Sequence, residues 1–376
     1  MAKAMYLGVN SVARKVKKMY LGVNNVARKV KKGYIGVGGV ARLFFSAEQK
    51  VEYYGTATAL RVKQGDPAAA TVGNYALIGG DGNVSSNIDA YSSSLVRSSP
   101  TSLRESRMSI AAASNGAYAI FGGGGEDEDC TGSADAYNSS LARTSCASVE
   151  ARRDLAAANV GNYVLFAGGV YESSSSSSTR QSTVVAFNKS LTKTTCTTLS
   201  QARADFTGAN VGNYAIFAGG RPSGTTGTNT VDAYSNTLVR STPTALTTAR
   251  YYAGVASNGE YALVAGGSPK STTTTNVVEA YNTSLTRSTI TALEASVGNV
   301  HQSCTGLGEC IIFATTAVGN VYNKNLVRSS VTKLSSAVCW SAATSVGNYA
   351  IFAGGNSTGG TSYSNALTTV QVYTIV

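Results

Sequence analysis

The chain has 376 residues, only 14% of them charged, and no stretch approaches the roughly 20 consecutive apolar residues that a membrane-spanning helix needs. Its formal net charge is +11, but residues 1–45 hold ten Lys or Arg and no acid, whereas the rest has 21 basic and 20 acidic residues. The high charge therefore belongs to the N-terminus, and it does not indicate nucleic-acid binding by the remainder.

The first segment in chain order is an arm of 14-residue repeats. Residues 5–18 and 19–32 repeat the phrase Tyr-Leu-Gly-Val-x-x-Val-Ala-Arg-Lys-Val-Lys-Lys, and a third copy occupies residues 33–45. Each copy predicts a β-hairpin, because short runs of Val, Tyr and Leu flank a pair of residues that tolerates positive φ. These pairs are Asn10-Ser11, Asn24-Asn25 and Gly38-Gly39.

An isolated hairpin is marginal in water, so the arm is expected to pack on a partner or on neighbouring copies of the chain. Its basic residues either dock to an acidic surface or form a solvated strand face. A nucleic-acid partner is disfavoured, because the arm has few aromatic residues for base stacking and no recognisable nucleic-acid module. Residues 1–45 are therefore interpreted as an attachment and oligomerisation arm, followed by a linker at residues 46–53.

From residue 54 onward, one strand phrase recurs seven times, ending in paired glycines in six copies and in Thr315-Thr316 in a worn copy at residues 308–316. Its central positions stand 39 to 51 residues apart, which is the range of a four-stranded propeller blade. These positions are Tyr75, Tyr118, Tyr163, Tyr214, Tyr261, Cys310 and Tyr349. The spacing predicts an all-β chain with a seven-bladed β-propeller over residues 54–376.

The order of motifs within a repeat resembles the kelch family. Leu246-Thr-Thr-Ala-Arg250 precedes the glycines Gly266 and Gly267, and Val277-Val-Glu-Ala-Tyr281 follows them. The resemblance covers residues 54–376 and implies a kelch-type propeller. One departure is that the outer-strand Trp of that family is replaced by Tyr54 in the seventh blade and elsewhere by basic residues, namely Arg97, Arg143, Lys193, Arg240, Arg287 and Arg328.

Four of these basic residues have an acid eight residues earlier, namely Asp89, Asp135, Asp232 and Glu279. We expect each acid to pair with its arginine across the third and fourth strands. Such exposed pairs contribute roughly 0.2–1 kcal/mol each, so they are interpreted as structural rather than as a functional ring.

The propeller is expected to close through its N-terminal strand. The chain ends at residues 369–373, which match a third strand, and residues 56–60 echo residues 289–293 of an earlier blade. Residues 56–60 are therefore predicted to supply the missing fourth strand, which would remove the open edges of a linear array.

One face of the predicted disc carries the variable loops, and recognition usually lies on such loops. Arg107, Arg152, Arg203 and Arg250 stand on the same face, eleven residues before the central tyrosine of their repeats, close to Phe206, Tyr251 and Tyr252. Arginine and tyrosine beside hydroxyl-rich loops suit sugars or acidic groups, so these seven residues are the predicted ligand-binding set. The alternative is that the arginines bridge neighbouring blades.

No enzyme activity, cofactor or metal site is predicted. His301 is the only histidine, which excludes a metal cluster built on several imidazoles. The acidic run at residues 126–129 could hold a hard cation such as calcium, although adjacent acids in a glycine-rich loop can equally be solvated.

The arm phrase resembles the N-termini of bacteriophage tail and tail-fibre proteins of Gram-positive gut bacteria. The resemblance covers only about 45 residues. Together with the lack of a signal peptide, it implies a virion appendage made in the host cytoplasm, with residues 1–45 contacting other virion proteins and the propeller binding a host surface glycan or acidic polymer. We expect a homo-oligomer. A structural virion part and an intracellular interaction scaffold are the alternatives.

Overall fold

The computed structural model describes residues 6–9, 12–15, 20–23, 26–30, 32–37, 40–46, 49–80, 85–126, 129–172, 178–299, 303–336, 339–358 and 363–376. The chain divides into two compact units, residues 1–50 and residues 51–376. Among the described residues there is no α-helix and only one 3-10 turn, Tyr363–Asn365. None of them forms a helix long and apolar enough to cross a membrane.

The first unit contains three antiparallel hairpins, one for each 14-residue repeat. In the first two hairpins the register is the same, with tyrosine opposite lysine at the open end and valine opposite valine next to the turn. The third hairpin is longer and has an irregularity between Gly33 and Tyr34. Its strands and those of the other two are β1 (Tyr6–Val9), β2 (Val12–Lys15), β3 (Tyr20–Val23), β4 (Val26–Lys29), β5 (Lys32–Val37) and β6 (Val40–Ser46).

The second unit is a seven-bladed β-propeller, in which each blade is a four-stranded antiparallel sheet. Blade 1 consists of β8 (Ala68–Val72), β9 (Tyr75–Gly79), β10 (Ile88–Ser92) and β11 (Arg97–Ser98), and blade 2 of β12 (Ala111–Ser114), β13 (Tyr118–Gly122), β16 (Ala134–Asn138) and β17 (Arg143–Ser145). Blade 3 consists of β18 (Ala156–Val160), β19 (Tyr163–Ala167), β22 (Val184–Phe187) and β23 (Lys193–Thr195). Blade 4 consists of β24 (Thr207–Val211), β25 (Tyr214–Ala218), β26 (Val231–Ser235) and β27 (Arg240–Ser241).

Blades 5 to 7 follow the same plan, and the last takes its fourth strand from the start of the unit. Blade 5 consists of β28 (Gly254–Ser257), β29 (Tyr261–Ala265), β30 (Val278–Asn282) and β31 (Arg287–Ile290). Blade 6 consists of β32 (Cys304–Leu307), β33 (Cys310–Ala314), β34 (Gly319–Tyr322) and β35 (Arg328–Ser330). Blade 7 consists of β36 (Ala342–Val346), β37 (Tyr349–Ala353), β38 (Val370–Ile375) and β7 (Val51–Thr56). Two short ribbons lie between the second and third strands of blades 2 and 3, namely β14 (Gly125–Glu126) with β15 (Asp129–Cys130), and β20 (Val170–Glu172) with β21 (Ser178–Arg180).

The core lies between blades rather than in one central mass. The first strand of each blade contacts the first strands of both neighbours, and the ring closes between blades 7 and 1. Seven apolar clusters fill the spaces between adjacent blades. The second strands are buried almost throughout, because both of their faces meet a neighbouring sheet, and this explains why they read as continuous apolar runs.

A repeated hydrogen bond ties six of the seven blades to the connection that precedes each of them. The hydroxyl of Tyr91 in the third strand of blade 1 donates to the carbonyl of Thr58 at 2.7 Å, and Tyr234 of blade 4 donates to Thr197 at the same distance. Four more blades repeat this bond, whereas blade 3 has Phe187 at the matching position. The phenol groups are thereby satisfied within an otherwise apolar layer.

The propeller closes through an N-terminal strand, but that strand lies earlier than residues 56–60. Val51–Thr56 pairs with the last strand, and a register shift at Val372/Tyr373 accompanies the pairing. Residues beyond Thr56 leave the sheet, with the amides of Ala57 and Leu60 donating to Val370 and Thr368. The boundary between the two units is therefore between Lys50 and Val51, within the segment predicted as a linker.

Candidate functional site

The four predicted ligand-binding arginines lie in the interior of the propeller. Arg107 is 1% exposed, and Arg152, Arg203 and Arg250 have no exposed surface. Each precedes the first strand of a blade and turns its guanidinium inward against the second and third strands of that blade. The prediction that these side chains face a ligand is corrected by this burial.

Three of the buried arginines form ion pairs with buried acids. The closest N–O distances are 2.8 Å for Arg107 and Asp135, 2.8 Å for Arg203 and Asp232, and 2.5 Å for Arg250 and Glu279, with no exposed side-chain surface on either partner. The carbonyls of Arg203 and Arg250 accept hydrogen bonds from glycines of the preceding blade, Gly169 and Gly220, each at 2.9 Å. Arg203 and Arg250 therefore bridge two neighbouring blades, which is the alternative that the sequence left open.

Arg152 of blade 3 has the same position but forms no ion pair with a described residue, because Val185 stands where blades 1, 2, 4 and 5 have Asp or Glu. Its guanidinium donates instead to the carbonyls of Phe166, Gly168 and Thr183. Burial lowers the pKa of Arg152 to about 10, and the charge of Glu150 offsets only part of this shift.

The outer arginines reach the same acids from the solvent side. Arg143, Arg240 and Arg287 lie 3.4, 3.2 and 2.7 Å from Asp135, Asp232 and Glu279, and Arg97 lies 3.9 Å from Asp89. The arginine side chains are 21–27% exposed, whereas the four acids are wholly buried. The pairing agrees with the sequence prediction, but each acid belongs to a buried network rather than to an exposed pair.

The predicted aromatic residues divide between the interior and the central channel. Phe206 is 2% exposed and packs under the guanidinium of Arg203, 5.0 Å from its ring centre. Tyr251 is 5% exposed and lies 5.3 Å from the guanidinium of Arg221. Tyr252 and the edge of Phe206 line a cavity at one end of the channel. Of the predicted set, only these two residues contribute to that cavity.

The central channel is lined along its middle by small side chains. One residue from each first strand faces the axis, and none is larger than valine. These residues are Ala69, Ala112, Ala157, Gly208, Val255, Cys304 and Ala343. Because these side chains are short, the axis of the propeller stays open, and a cavity occupies each end.

The cavity at the start of the first strands, which we call the channel mouth, has a volume of about 150 Å³. It contains polar and aromatic side chains from five successive blades, each two residues before the first strand. These are Asp66, Ser109, Asp154, Asp205 and Tyr252. Asp66, Ser109 and Asp205 are buried at 8%, 9% and 4% exposure, so the carboxylates face the cavity rather than bulk solvent.

The backbone of the channel mouth holds these side chains in a ring. Ser109, Asp154, Asp205 and Tyr252 have φ between 52° and 58°, in the left-handed region that residues with a Cβ rarely adopt. The amides of Asp154, Asp205 and Tyr252 donate to the carbonyls of the preceding member at 3.1, 3.2 and 2.9 Å. Hydrogen bonds between blades therefore compensate the unfavourable backbone conformation and fix the side chains around the axis.

The carboxylates of the channel mouth have unequal partners. Arg221 donates to Asp205 Oδ2 at 2.7 Å, and Ser109 Oγ donates to Asp66 Oδ2 at 3.1 Å. Asp154 has Arg153 at 3.9 Å, and Arg153 also pairs with Glu172 of the blade 3 ribbon. The cation nearest to Asp154 is thus shared with a second carboxylate.

Asp154 has a strongly shifted pKa. Burial, the charge of Asp205 and the charge of Asp66 raise the pKa of Asp154 to about 7, and Arg153 offsets only part of this. About 29% of its side-chain surface is accessible, and the residue lines the channel mouth. Burial and the charge of Asp205 also raise the pKa of Tyr252 far above its usual value, so this phenol stays neutral.

The opposite end of the channel has a different chemistry. Its cavity, of about 460 Å³, is bordered by hydroxyl and amide side chains near the ends of the first strands. They are Thr71, Ser114, Asn159, Asn210, Ser257, Thr305 and Ser345. No charged residue lines it in the described part of the chain. The two ends therefore differ in charge, and only the channel mouth combines acids with an aromatic ring.

Asp66, Asp154 and Asp205 were not in the predicted set. A signal for them exists, because each stands nine residues before the central tyrosine of its repeat and two residues after the arginine position. The described residues contain no group of three or more His, Cys, Asp or Glu side chains that could hold a metal ion. The predicted acidic run lies partly outside these residues, at positions 127 and 128.

Comparison with known proteins supports the fold and no further assignment. No protein-family model matches the sequence, and no curated protein matches it. A solved structure titled "Structure of YjhT" is similar to this chain with a TM-score of 0.57 and 12% sequence identity. The similarity covers 85% of this chain and 99% of that one, and at this identity it shows a shared propeller architecture.

Proposed function

We propose that the chain is a glycan-binding propeller that is attached to a virion by its basic arm and holds its ligand at the channel mouth. The observation that carries the proposal is the convergence of Asp66, Asp154, Asp205 and Tyr252 on one cavity at the axis. Side chains from separate blades meet there in a strained, hydrogen-bonded ring, and backbone strain of this kind clusters at binding sites.

The chemistry of the channel mouth suits a sugar. Carboxylate oxygens accept hydrogen bonds from sugar hydroxyls, and a tyrosine ring offers an apolar face against which a pyranose can pack. The acids argue against an acidic polymer, because a second negative group in the cavity would be repelled by them. We therefore narrow the expected ligand to a neutral or positively charged glycan.

The loops around the channel mouth can add contacts to the rest of a glycan. The second-to-third connections of blades 4 and 5 lie against each other, with a bridge between Thr226 and Lys270 and a hydrogen bond from Gly227 to Pro269 at 3.0 Å. Tyr171, on the ribbon of blade 3, is 42% exposed. Long loops on a rigid scaffold are frequent recognition surfaces.

The arm supports the attachment part of the proposal. Three hairpins in tandem leave several unpaired strand edges, and two-stranded hairpins alone are only marginally stable. Pairing with other virion proteins or with copies of this chain would satisfy those edges. Several propellers held together would also raise the avidity of a weak site by roughly 10²–10⁴.

A glycan array probed with the full-length chain tests the proposal. Tyr252→Ala should lose the glycans that the unchanged protein retains, whereas Tyr54→Ala, which removes a tyrosine that is 55% exposed on the outer strand of blade 7, should keep them. Mass spectrometry of the released glycans should show them unaltered, as expected for a binding protein. Equal retention by both variants would move the site elsewhere, and a cleaved or isomerised glycan would indicate an enzyme.

A further inference from the structure

We propose that the channel mouth selects a ligand with a free ammonium group, such as a sugar with an unacetylated amine, held between Asp66, Asp154 and Asp205. This inference rests on the proposed function and adds the chemical class of the ligand. It follows from the balance of charges among the described residues around the cavity, from one buried carboxylate oxygen that accepts no well-aligned hydrogen bond from them, and from the size of the cavity.

The cavity has more negative than positive charge. Its described lining residues include three carboxylates and no cationic side chain. Of the nearest arginines, Arg221 is engaged by Asp205 and packs on Tyr251, and Arg153 divides its guanidinium between Asp154 and Glu172. Asp66 accepts a hydrogen bond from the hydroxyl of Ser109. Desolvated carboxylates are costly without a cation, and an ammonium group would supply one.

One buried oxygen shows where a donor is missing. Asp205 is 4% exposed and lines the cavity, and its Oδ2 atom accepts from Arg221. Its Oδ1 atom is buried and accepts no well-aligned hydrogen bond from the residues that the structure describes, and the Tyr252 hydroxyl is the neighbouring group that interacts with this carboxylate. A buried acceptor without a partner costs free energy comparable to a lost hydrogen bond, so a ligand donor at this atom would be favourable.

An ammonium group fits this arrangement better than a hydroxyl. It carries three N–H donors and no acceptor, so it can serve several carboxylate oxygens at once. The aromatic ring of Tyr252 borders the same cavity, and cations are attracted to aromatic faces. A volume of about 150 Å³ is sufficient for an amine-bearing ring and too small for a branched oligosaccharide, which would extend outward over the loops.

Binding of a cation should be coupled to the proton on Asp154. The groups that face this carboxyl are Asp205, Asp66, Arg153, Tyr252 and the Ser109 hydroxyl. A cationic ligand favours the ionised carboxylate, so binding should release a proton and strengthen as pH rises toward the pKa of about 7. Protonation at lower pH removes one of the three negative charges and should weaken binding.

Calorimetric titration of the full-length chain with D-glucosamine, and with N-acetyl-D-glucosamine as the neutral matched sugar, tests the inference. Glucosamine should bind about tenfold or more tightly at about pH 7, because the charged donor adds charge-assisted hydrogen bonds. Its affinity should fall severalfold at about pH 5.5, where the amine is still protonated but Asp154 is neutral. Asp154→Asn should weaken glucosamine binding and remove this pH dependence.

The control variant is Glu260→Gln, which removes one negative charge at an exposed turn between the first and second strands of blade 5, at the other end of the channel. It should leave both affinities unchanged. Equal or tighter binding of the acetylated sugar would overturn the ammonium inference while leaving glycan binding in place. Binding of neither sugar overturns the inference, and if Tyr252→Ala also leaves glycan retention unchanged, the proposed function fails as well.

Discussion

The Nη1 atom of Arg203 lies 2.8 Å from Oδ2 of Asp232, and neither side chain has any exposed surface. The other carboxylate oxygen, Oδ1, receives the amide of Ser200 at 3.1 Å and the outer Arg240 at 3.2 Å. A single buried acid therefore collects donors from the preceding connection and from the outer strand. This arrangement explains why arginines that resemble a binding set in the sequence are structural.

The two arginines on Asp232 should contribute very differently to stability. Arg203→Ala leaves a buried carboxylate without its closest cation and should lower the free energy of unfolding by about 3–5 kcal/mol. Arg240→Ala removes a partner that is 27% exposed and should cost about 1 kcal/mol or less. Urea denaturation measures both values. A similar cost for the two variants would contradict the account of the buried network.

Blade 3 should tolerate an acidic residue at position 185, where the other blades with a buried arginine have Asp or Glu. Val185→Asp places a carboxylate at the position that faces a buried arginine in other blades, where Arg152 has only neutral acceptors. Val184→Asp introduces the same group one residue earlier, away from Arg152. We expect the Val185 variant to remain folded with a modest change in Tm, and the Val184 variant to lose several kcal/mol because its charge is buried without a partner. The reverse order in a thermal scan would refute the assignment.

Closure of the propeller depends on Val51–Thr56. Removing residues 1–50 should leave a soluble propeller, because the fourth strand of blade 7 is retained. Removing residues 1–56 exposes the edge of the last strand, Val370–Ile375, and should cause aggregation. Size-exclusion chromatography distinguishes the two products. If both truncated proteins elute alike, the strand does not close the ring.

The raised pKa of Asp154 has a consequence for stability. The folded state holds this proton up to about pH 7, whereas the unfolded chain releases it near pH 4, so stability is full below the unfolded pKa and declines as pH rises between these values. Asp154→Asn removes the decline, and its gain in Tm over the unchanged protein should be larger at about pH 8 than at about pH 5. A gain that is equal at both pH values would show that the carboxyl is not perturbed.

Much of the fold could be predicted from the sequence, because strand phrases with glycine turns recur at blade spacing. The sequence predicts the closing strand at residues 56–60, whereas the strand begins at Val51 and ends at Thr56. The reason is that the similar segments 56–60 and 289–293 each cover the end of a fourth strand and the connection after it. In blade 5 the strand ends at Ile290, and Leu60 and Leu293 are buried residues of the connections. The sequence similarity between these two segments therefore identifies equivalent residues, but it does not show where the fourth strand ends.

The site was harder to predict because a repeat position does not reveal the direction of its side chain. Arg203 and Asp205 are two residues apart, yet the first turns into the blade and the second toward the axis. The left-handed backbone at Asp205 causes this change of direction, and aspartate rather than glycine occupies that position. An acid at an unfavourable φ leaves no distinctive pattern in a single sequence.

The central claim is that the ligand occupies the channel mouth, and blocking that cavity tests it most directly. Ala157 faces the axis from the first strand of blade 3, so Ala157→Phe should fill the cavity without removing any charged group. Ala142→Phe makes the same substitution at an exposed turn on the rim of blade 2. On a glycan array, the account predicts that Ala157→Phe loses binding while remaining folded and that Ala142→Phe retains it. Undiminished binding by a folded Ala157→Phe protein would contradict the claim.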